Sequence, residues 1–67
     1  MQIKINGKNI EMREPKVRDM RIVSQINNPA DKELSLISNL TGLSSDELDE
    51  LNMKEYAKLQ KGLQDFL

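Results

Sequence analysis

The densest group of reactive side chains is Asp46, Glu47, Asp49 and Glu50, carboxylates at four of five consecutive positions. A calcium loop needs acidic or amide ligands at alternate positions, a central Gly and a closing Glu, and that pattern is missing here. On a helix these side chains spread around the axis, and Asp46 and Glu47 fall in a first turn, where the helix dipole favours anions. No metal site is expected. The hydroxyls of Ser35, Ser38, Thr41, Ser44, Ser45 and Tyr56 and the lysine amines are candidate nucleophiles, and none stands in a motif that would activate it. Cysteine and histidine are absent altogether. That removes disulfides, thiolate ligands, thiol chemistry and the commonest general base. The chain is therefore read as a non-enzyme, with no catalytic residue and no cofactor.

Phosphate recognition is the next chemistry to weigh. A helix over Leu34 to Leu40, the pair Thr41-Gly42 and a short helix over Ser45 to Glu50 follow one another in helix-turn-helix order. A recognition element reads bases with Arg, Lys, Asn or Gln, whereas this one would bring four carboxylates to a polyanion. A small helix-turn-helix-like DNA-binding or regulatory module is thus the alternative reading, and nucleic acid is not the expected partner. Arg13, Lys16, Arg18 and Arg21 make a basic stretch, but one Tyr, one Phe and no Trp leave little to stack bases on. Charge is uneven along the chain: residues 1–22 balance to +3, residues 23–52 to −5 and residues 53–67 to +1. Blocks of this size read as solvated faces of a small domain.

What remains is apolar surface. Tyr56, Leu59, Leu63 and Phe66 recur at i, i+3, i+7 and i+10, with Leu67 widening the stripe. Such a stripe serves as the core seam of the domain, and part of it can face a partner helix, because an amphipathic helix in a groove is a common recognition mode. Phe66 and Leu67 are the members least covered by the chain's own fold. Met20 is an adaptable neighbour, since its flexible thioether tolerates varied partners. The expected partner-binding residues are Met20, Tyr56, Leu59, Leu63, Phe66 and Leu67.

These residues need elements to hold them. Gln2 to Met12 alternates apolar and polar residues around Asn6-Gly7, the dipeptide suited to a type I′ turn, and predicts a β-hairpin. Ile5 then opposes Lys8, Lys4 opposes Asn9 and Ile3 opposes Ile10, so Ile3, Ile5, Ile10 and Met12 share one face. A lone hairpin is marginal in water, so that face must rest on helices or on a second copy, whose contact the open strand edges also offer. Glu14-Pro15 predicts a first helix from Pro15 to about Ile26, with Val17, Met20, Val23 and Ile26 as its stripe, Ile22 beside that stripe, and Lys16, Arg18, Asp19 and Arg21 on its polar face.

Asn28, Pro29 and Asp31 start a second helix, Leu34, Ile37 and Leu40 line it, and Gly42 stops it. Ser44 with Glu47 forms a capping box flanked by the staple Leu43 and Leu48. Asn52 with Glu55 and Leu51 with Tyr56 repeat that chemistry, so a short third helix gives way to a fourth. Gly62, inside the last helix, costs about 1 kcal/mol relative to Ala and either permits close approach or loosens the end.

The fold class expected is α+β, mostly α: one domain over residues 1–67, with a hairpin over 2–12 and three to four short helices in a small bundle over 15–67. At 37% hydrophobic residues the core is thin, and a domain of this size without staples has roughly 3–5 kcal/mol of stability. No run reaches the roughly 18 apolar residues of a membrane span, and Met1-Gln2-Ile3-Lys4 lacks the apolar stretch of a signal peptide. A soluble, cytoplasmic protein is expected.

The hairpin, the run REPKVRDMR (Arg13 to Arg21), the junction NLTGLS (Asn39 to Ser44) and the series Leu48, Leu51, Tyr56, Leu59, Leu63 and Phe66 come in a distinctive order. In that order, over nearly its whole length, the chain resembles the small tail assembly chaperones of Mu-like contractile-tailed phages and prophages. The resemblance implies a non-catalytic protein that binds the long, largely helical tape measure protein in the host and keeps it soluble while tube subunits polymerise around it. It also implies absence from the finished virion.

Overall fold

Residues 1–66 are described by the computed structural model. β1 (Gln2–Ile5) and β2 (Lys8–Glu11) pair antiparallel, with Ile3 opposite Ile10, Lys4 opposite Asn9 and Ile5 opposite Lys8, the register expected from a two-residue turn. Asn6 and Gly7 have φ of 53° and 77°, which is the left-handed pair a type I′ turn requires. Met1 and Met12 extend the ladder by one rung: the Met12 N–H donates to the Met1 carbonyl at 2.8 Å, and the N-terminal ammonium donates to the Met12 carbonyl at 3.1 Å. Ile3, Ile5 and Met12 are buried and Ile10 is half-buried, so one hairpin face is apolar and covered.

Among the described residues four helices follow: α1 (Val17–Val23), α2 (Pro29–Thr41), α3 (Ser45–Asp49) and α4 (Met53–Phe66). The architecture is α+β, mostly α, as expected. Asn28 caps α2, its side-chain oxygen accepting from the Ala30 and Asp31 N–H groups at 2.9 and 3.3 Å. Gly42 ends the helix at φ 78°. Both capping boxes form. Ser44 Oγ accepts from the Glu47 N–H while Glu47 Oε1 accepts from the Ser44 N–H, each at 3.1 Å, and Asn52 and Glu55 exchange the same pair of bonds at 2.9 Å.

α2 is the hub, packing against α1, α3, α4 and β2, while α4 also packs against β1. Leu36, Ile37 and Leu40 of α2 meet Ile3, Ile5, Met12, Val23, Leu48, Leu59 and Leu63 in one core cluster. Gly62 settles its two readings in favour of close approach. It is buried, and a Cβ placed there would stand 2.6 Å from Ile3 Cδ1, so the hairpin lies directly on this turn of α4.

α1 departs from expectation at both ends and in its facing. It starts at Val17 rather than Pro15, because the Asp19 carboxylate accepts the Lys16 N–H at 2.8 Å and makes extended Lys16 the cap. It stops at Val23 rather than Ile26. There the Ser24 hydroxyl donates to the Arg21 carbonyl at 2.7 Å, a local bond that competes with the helical ladder. The expected stripe of Val17, Met20, Val23 and Ile26 also fails on geometry. At 3.6 residues per turn each step of three slips by about 60°, so a run of three such steps ends about 180° from its start. Exposure records the slip, falling from 77% at Val17 through 43% at Met20 to 1% at Val23.

Asp19, expected on the polar face, is instead 1% exposed. It takes a two-pronged bond from Arg13, Nη1 to Oδ2 at 2.8 Å and Nη2 to Oδ1 at 2.6 Å. That pair turns Asp19 and, four residues on, Val23 toward the core. Arg13 further donates to the Asn39 carbonyl at 3.3 Å, and its N–H donates to the Leu40 carbonyl at 3.1 Å. One side chain thus joins the hairpin exit, the start of α1 and the last turn of α2, a helix end with no basic residue of its own.

Candidate partner-binding surface

The α4 stripe is anchored by its capping box and faces β1 and α2. Leu59 is fully buried and Leu63 is 5% exposed, both inside the core cluster. Tyr56 and Phe66 pack against that cluster from its rim and are half-buried. The Tyr56 hydroxyl donates to Glu33 Oε1 at 3.2 Å, and Gln60 Nε2 donates to the same oxygen at 2.7 Å. Burial, then the charge of Glu33 and the bond to it, push the Tyr56 hydroxyl up to about 12. Leu67 lies outside the described residues. Met20, half in solvent, is on α1, whose packing partner is α2. The structure therefore gathers Tyr56, Leu59, Leu63 and Phe66 along one seam and sets Met20 on a different helix.

Larger apolar exposure occurs elsewhere. Val17 and Ile22 on α1 are 77% and 62% exposed, and Met53, at the first position of α4, is 83% exposed. No signal within α1 gave this away: Val23 faces the core and Val17 faces water only because Asp19 pairs inward with Arg13. Arg18, Arg21, Ile22, Ser24 and Gln25 line an open groove of about 490 Å³. Ile5, Ile10, Leu43 and Leu51 form an apolar cleft of about 150 Å³ between the hairpin turn and α3, with Lys8 and Glu47 among its lining residues.

Charge divides the surface. Lys16, Arg18 and Arg21 are all exposed on or beside α1, whose single acid is already paired with Arg13. The Arg13 guanidinium, followed by the Lys16 N–H, holds the Asp19 carboxyl well below the usual carboxylate range. Asp46, Glu47, Asp49 and Glu50 are exposed around α3, an arrangement that would repel a nucleic-acid backbone. Among the described residues no cluster of three or more acidic ligands comes together to hold a metal ion, and no helix is long and apolar enough to cross a membrane. No curated protein and no solved structure matches the chain. The model of the family described as phage tail assembly chaperone proteins, E, or 41 or 14, matches residues 4–67, hairpin and helices together, and the chain belongs to that family.

Proposed function

We propose that this tail assembly chaperone acts on the tape measure protein, binding its apolar helical stripes and keeping it soluble while the tail tube is built. The reading is supported above all by large apolar side chains left in solvent beside a finished core, Val17 at 77% and Ile22 at 62%. Fully burying a side chain of this kind contributes about 1.5–3 kcal/mol. Association costs roughly 4–15 kcal/mol in lost freedom. A handful of such contacts yields a reversible complex, which suits a protein that must yield its client to tube subunits.

Met20, Tyr56 and Phe66 are contact residues on this reading together with exposed Val17 and Ile22, and Leu59 and Leu63 hold Tyr56 and Phe66 in place from the core; Leu67 is a further contact residue. The protein works without catalysis, in the cytoplasm of the infected or lysogenic host, and leaves before the virion is complete. Co-expression tests it: tape measure protein made with this chain stays in the soluble fraction and co-purifies with it, and tape measure protein made alone pellets. Equal solubility in both cases would overturn the proposal. Mass spectrometry of purified tails is expected to find no trace of the chain.

A further inference from the structure

The two edges of the hairpin are not equivalent. The Met12 N–H donates to the Met1 carbonyl at 2.8 Å and the N-terminal ammonium donates to the Met12 carbonyl at 3.1 Å, so Met1 and Met12 are a hydrogen-bonded pair. Bonded and non-bonded pairs alternate along an antiparallel ladder. Ile3 with Ile10 and Ile5 with Lys8 are therefore bonded pairs too, and the backbone groups of Gln2 and Lys4 on β1 and of Asn9 and Glu11 on β2 point outward. On β1 the chain takes part of that edge for itself, because α4 packs against the strand and Lys58 Nζ donates to the Lys4 carbonyl at 3.4 Å. On β2, among the described residues, no third strand pairs with the outward groups, and Asn9 and Glu11 are exposed. The β2 edge has neither a proline nor a bulge to keep it single.

We propose that the β2 edge pairs antiparallel with the β2 edge of a second copy of this chain, giving one continuous sheet in the order β1, β2, β2, β1. A two-fold axis normal to the sheet keeps the apolar faces of both hairpins on one side, the isologous arrangement of a closed dimer. Asn9 then opposes Glu11 of the second copy, so every outward N–H and C=O of the two strands finds a partner, and Ile10 opposes Ile10 at the axis. Neighbouring registers do worse. Asn9 against Asn9 leaves Glu11 facing Gly7 of the turn, and Glu11 against Glu11 sets like charges directly opposite each other. The self-complementary edge selects a second copy over a foreign strand. On the polar face the Glu11 carboxylate is loosely held, one oxygen lying 3.7 Å from the N-terminal ammonium, and the Asn9 amide across the axis can donate to it. On the apolar face half-buried Ile10 lines the cleft of about 150 Å³ with Ile5, Leu43 and Leu51, so the second Ile10 arrives where apolar surface is still open. Two strands of four residues bury less than the roughly 1,000 Å² of a stable interface, so the dimer is weak and forms at high concentration.

The test uses the full chain. Sedimentation equilibrium between about 10 μM and about 1 mM, a range that brackets weak association, is expected to show the mass rising from 7.7 kDa toward twice that value. In the same series the amide resonances of Asn9 and Glu11 shift with concentration while those of Gln2 and Lys4 do not. Asn9→Pro removes an outward N–H and none of the hairpin's own bonds, a place where an edge strand tolerates proline, and is expected to weaken association by about tenfold or more. Ile10→Cys gives a chain without cysteine a single thiol. Facing Cα atoms of a non-bonded pair lie about 4.5 Å apart, within the span of a disulfide, so mild oxidation at the upper concentration cross-links Ile10→Cys and leaves Lys4→Cys, on the other edge, uncoupled. Circular dichroism establishes that the variants remain folded, and the cross-link decides if Asn9→Pro does not fold.

A mass fixed at 7.7 kDa throughout, shifts confined to the β1 amides, equal cross-linking of Ile10→Cys and Lys4→Cys, or unchanged association of folded Asn9→Pro would each refute the pairing. A synthetic extended peptide alternating valine and threonine stands for the competing occupant. If it moves the Asn9 and Glu11 amides of a chain that stays monomeric at every concentration, the edge takes a foreign strand and the second-copy assignment is wrong. The pairing stands or falls apart from the chaperone reading, since co-expression with tape measure protein reads client solubility and the ultracentrifuge reads the purified chain alone.

Discussion

Replacing Gly62 with alanine sets two opposing contributions against each other in the middle of α4. At an exposed helical position the change stabilises by about 1 kcal/mol through helix propensity. Here the new Cβ would stand 2.6 Å from Ile3 Cδ1, with Met1 Sδ at 3.3 Å and Met12 Sδ at 3.5 Å narrowing the room into which Ile3 could turn. Overpacking of this kind costs about 1–3 kcal/mol. The net expectation is between neutral and about 2 kcal/mol of destabilisation, read from urea unfolding followed by far-ultraviolet circular dichroism. With a denaturant slope near 1 kcal/mol per molar, the low end for small proteins, the midpoint falls by up to about 2 M.

Ile3→Val removes the offending Cδ1 and alone costs about 0.5–1.5 kcal/mol. The double variant is expected to be more stable than the two single changes predict, by about 1 kcal/mol or more of favourable coupling. A gain of about 1 kcal/mol in the Gly62→Ala single variant, with strict additivity against Ile3→Val, would refute the docking of the hairpin on α4.

Four further outcomes follow from other features of the fold. Asp19 is depressed in the folded state, so its contribution is present above the ordinary carboxylate value near about 3.9 and is lost as pH falls below it; Asp19→Asn is expected to flatten the acid side of the stability curve measured by urea midpoints. Tyr56 is raised to about 12 in the folded state, so its contribution is fully present below about 10 and lost as pH rises toward 12. Spectrophotometric titration of Glu33→Gln should give a midpoint below the wild type's yet above the ordinary tyrosine value, because burial remains when the charge goes. Leu59→Ala removes a fully buried side chain at an expected loss of about 2–5 kcal/mol, comparable with the roughly 3–5 kcal/mol available to so small a domain. Ile22→Ala should change stability by about 0.5 kcal/mol or less by the same unfolding assay, as for an exposed position.

The hairpin and the two capping boxes were legible because their causes are local. Asn6-Gly7 sets its own turn and hence the pairing of Ile3 with Ile10, and Ser44 with Glu47 and Asn52 with Glu55 each close a hydrogen-bonded pair within four residues. The α4 stripe was legible as a stripe, although its period alone does not say whether Leu59 and Leu63 meet the chain's own hairpin or a foreign helix. The packing of β1 against α4 at Gly62 answers that. Met20 was identified as an adaptable side chain, but the surface around it was hidden, since nothing within α1 announces that Asp19 turns inward.

Local chemistry written in the order of residues decided the turn, the caps, the helix end at Gly42, the helix start at Asn52, and the lack of thiols and imidazoles. Those features depend on neighbours within about one helical turn, a range over which side-chain type dictates backbone bonding. The facing of α1 needed the fold. Arg13 reaches Asp19 and the last carbonyls of α2 at once, and this clamp rotates the helix so that Val23 enters the core and Val17 and Ile22 are left in water. A helix of seven residues has too few apolar positions to orient itself, so its tertiary partners chose which side became core and which became surface.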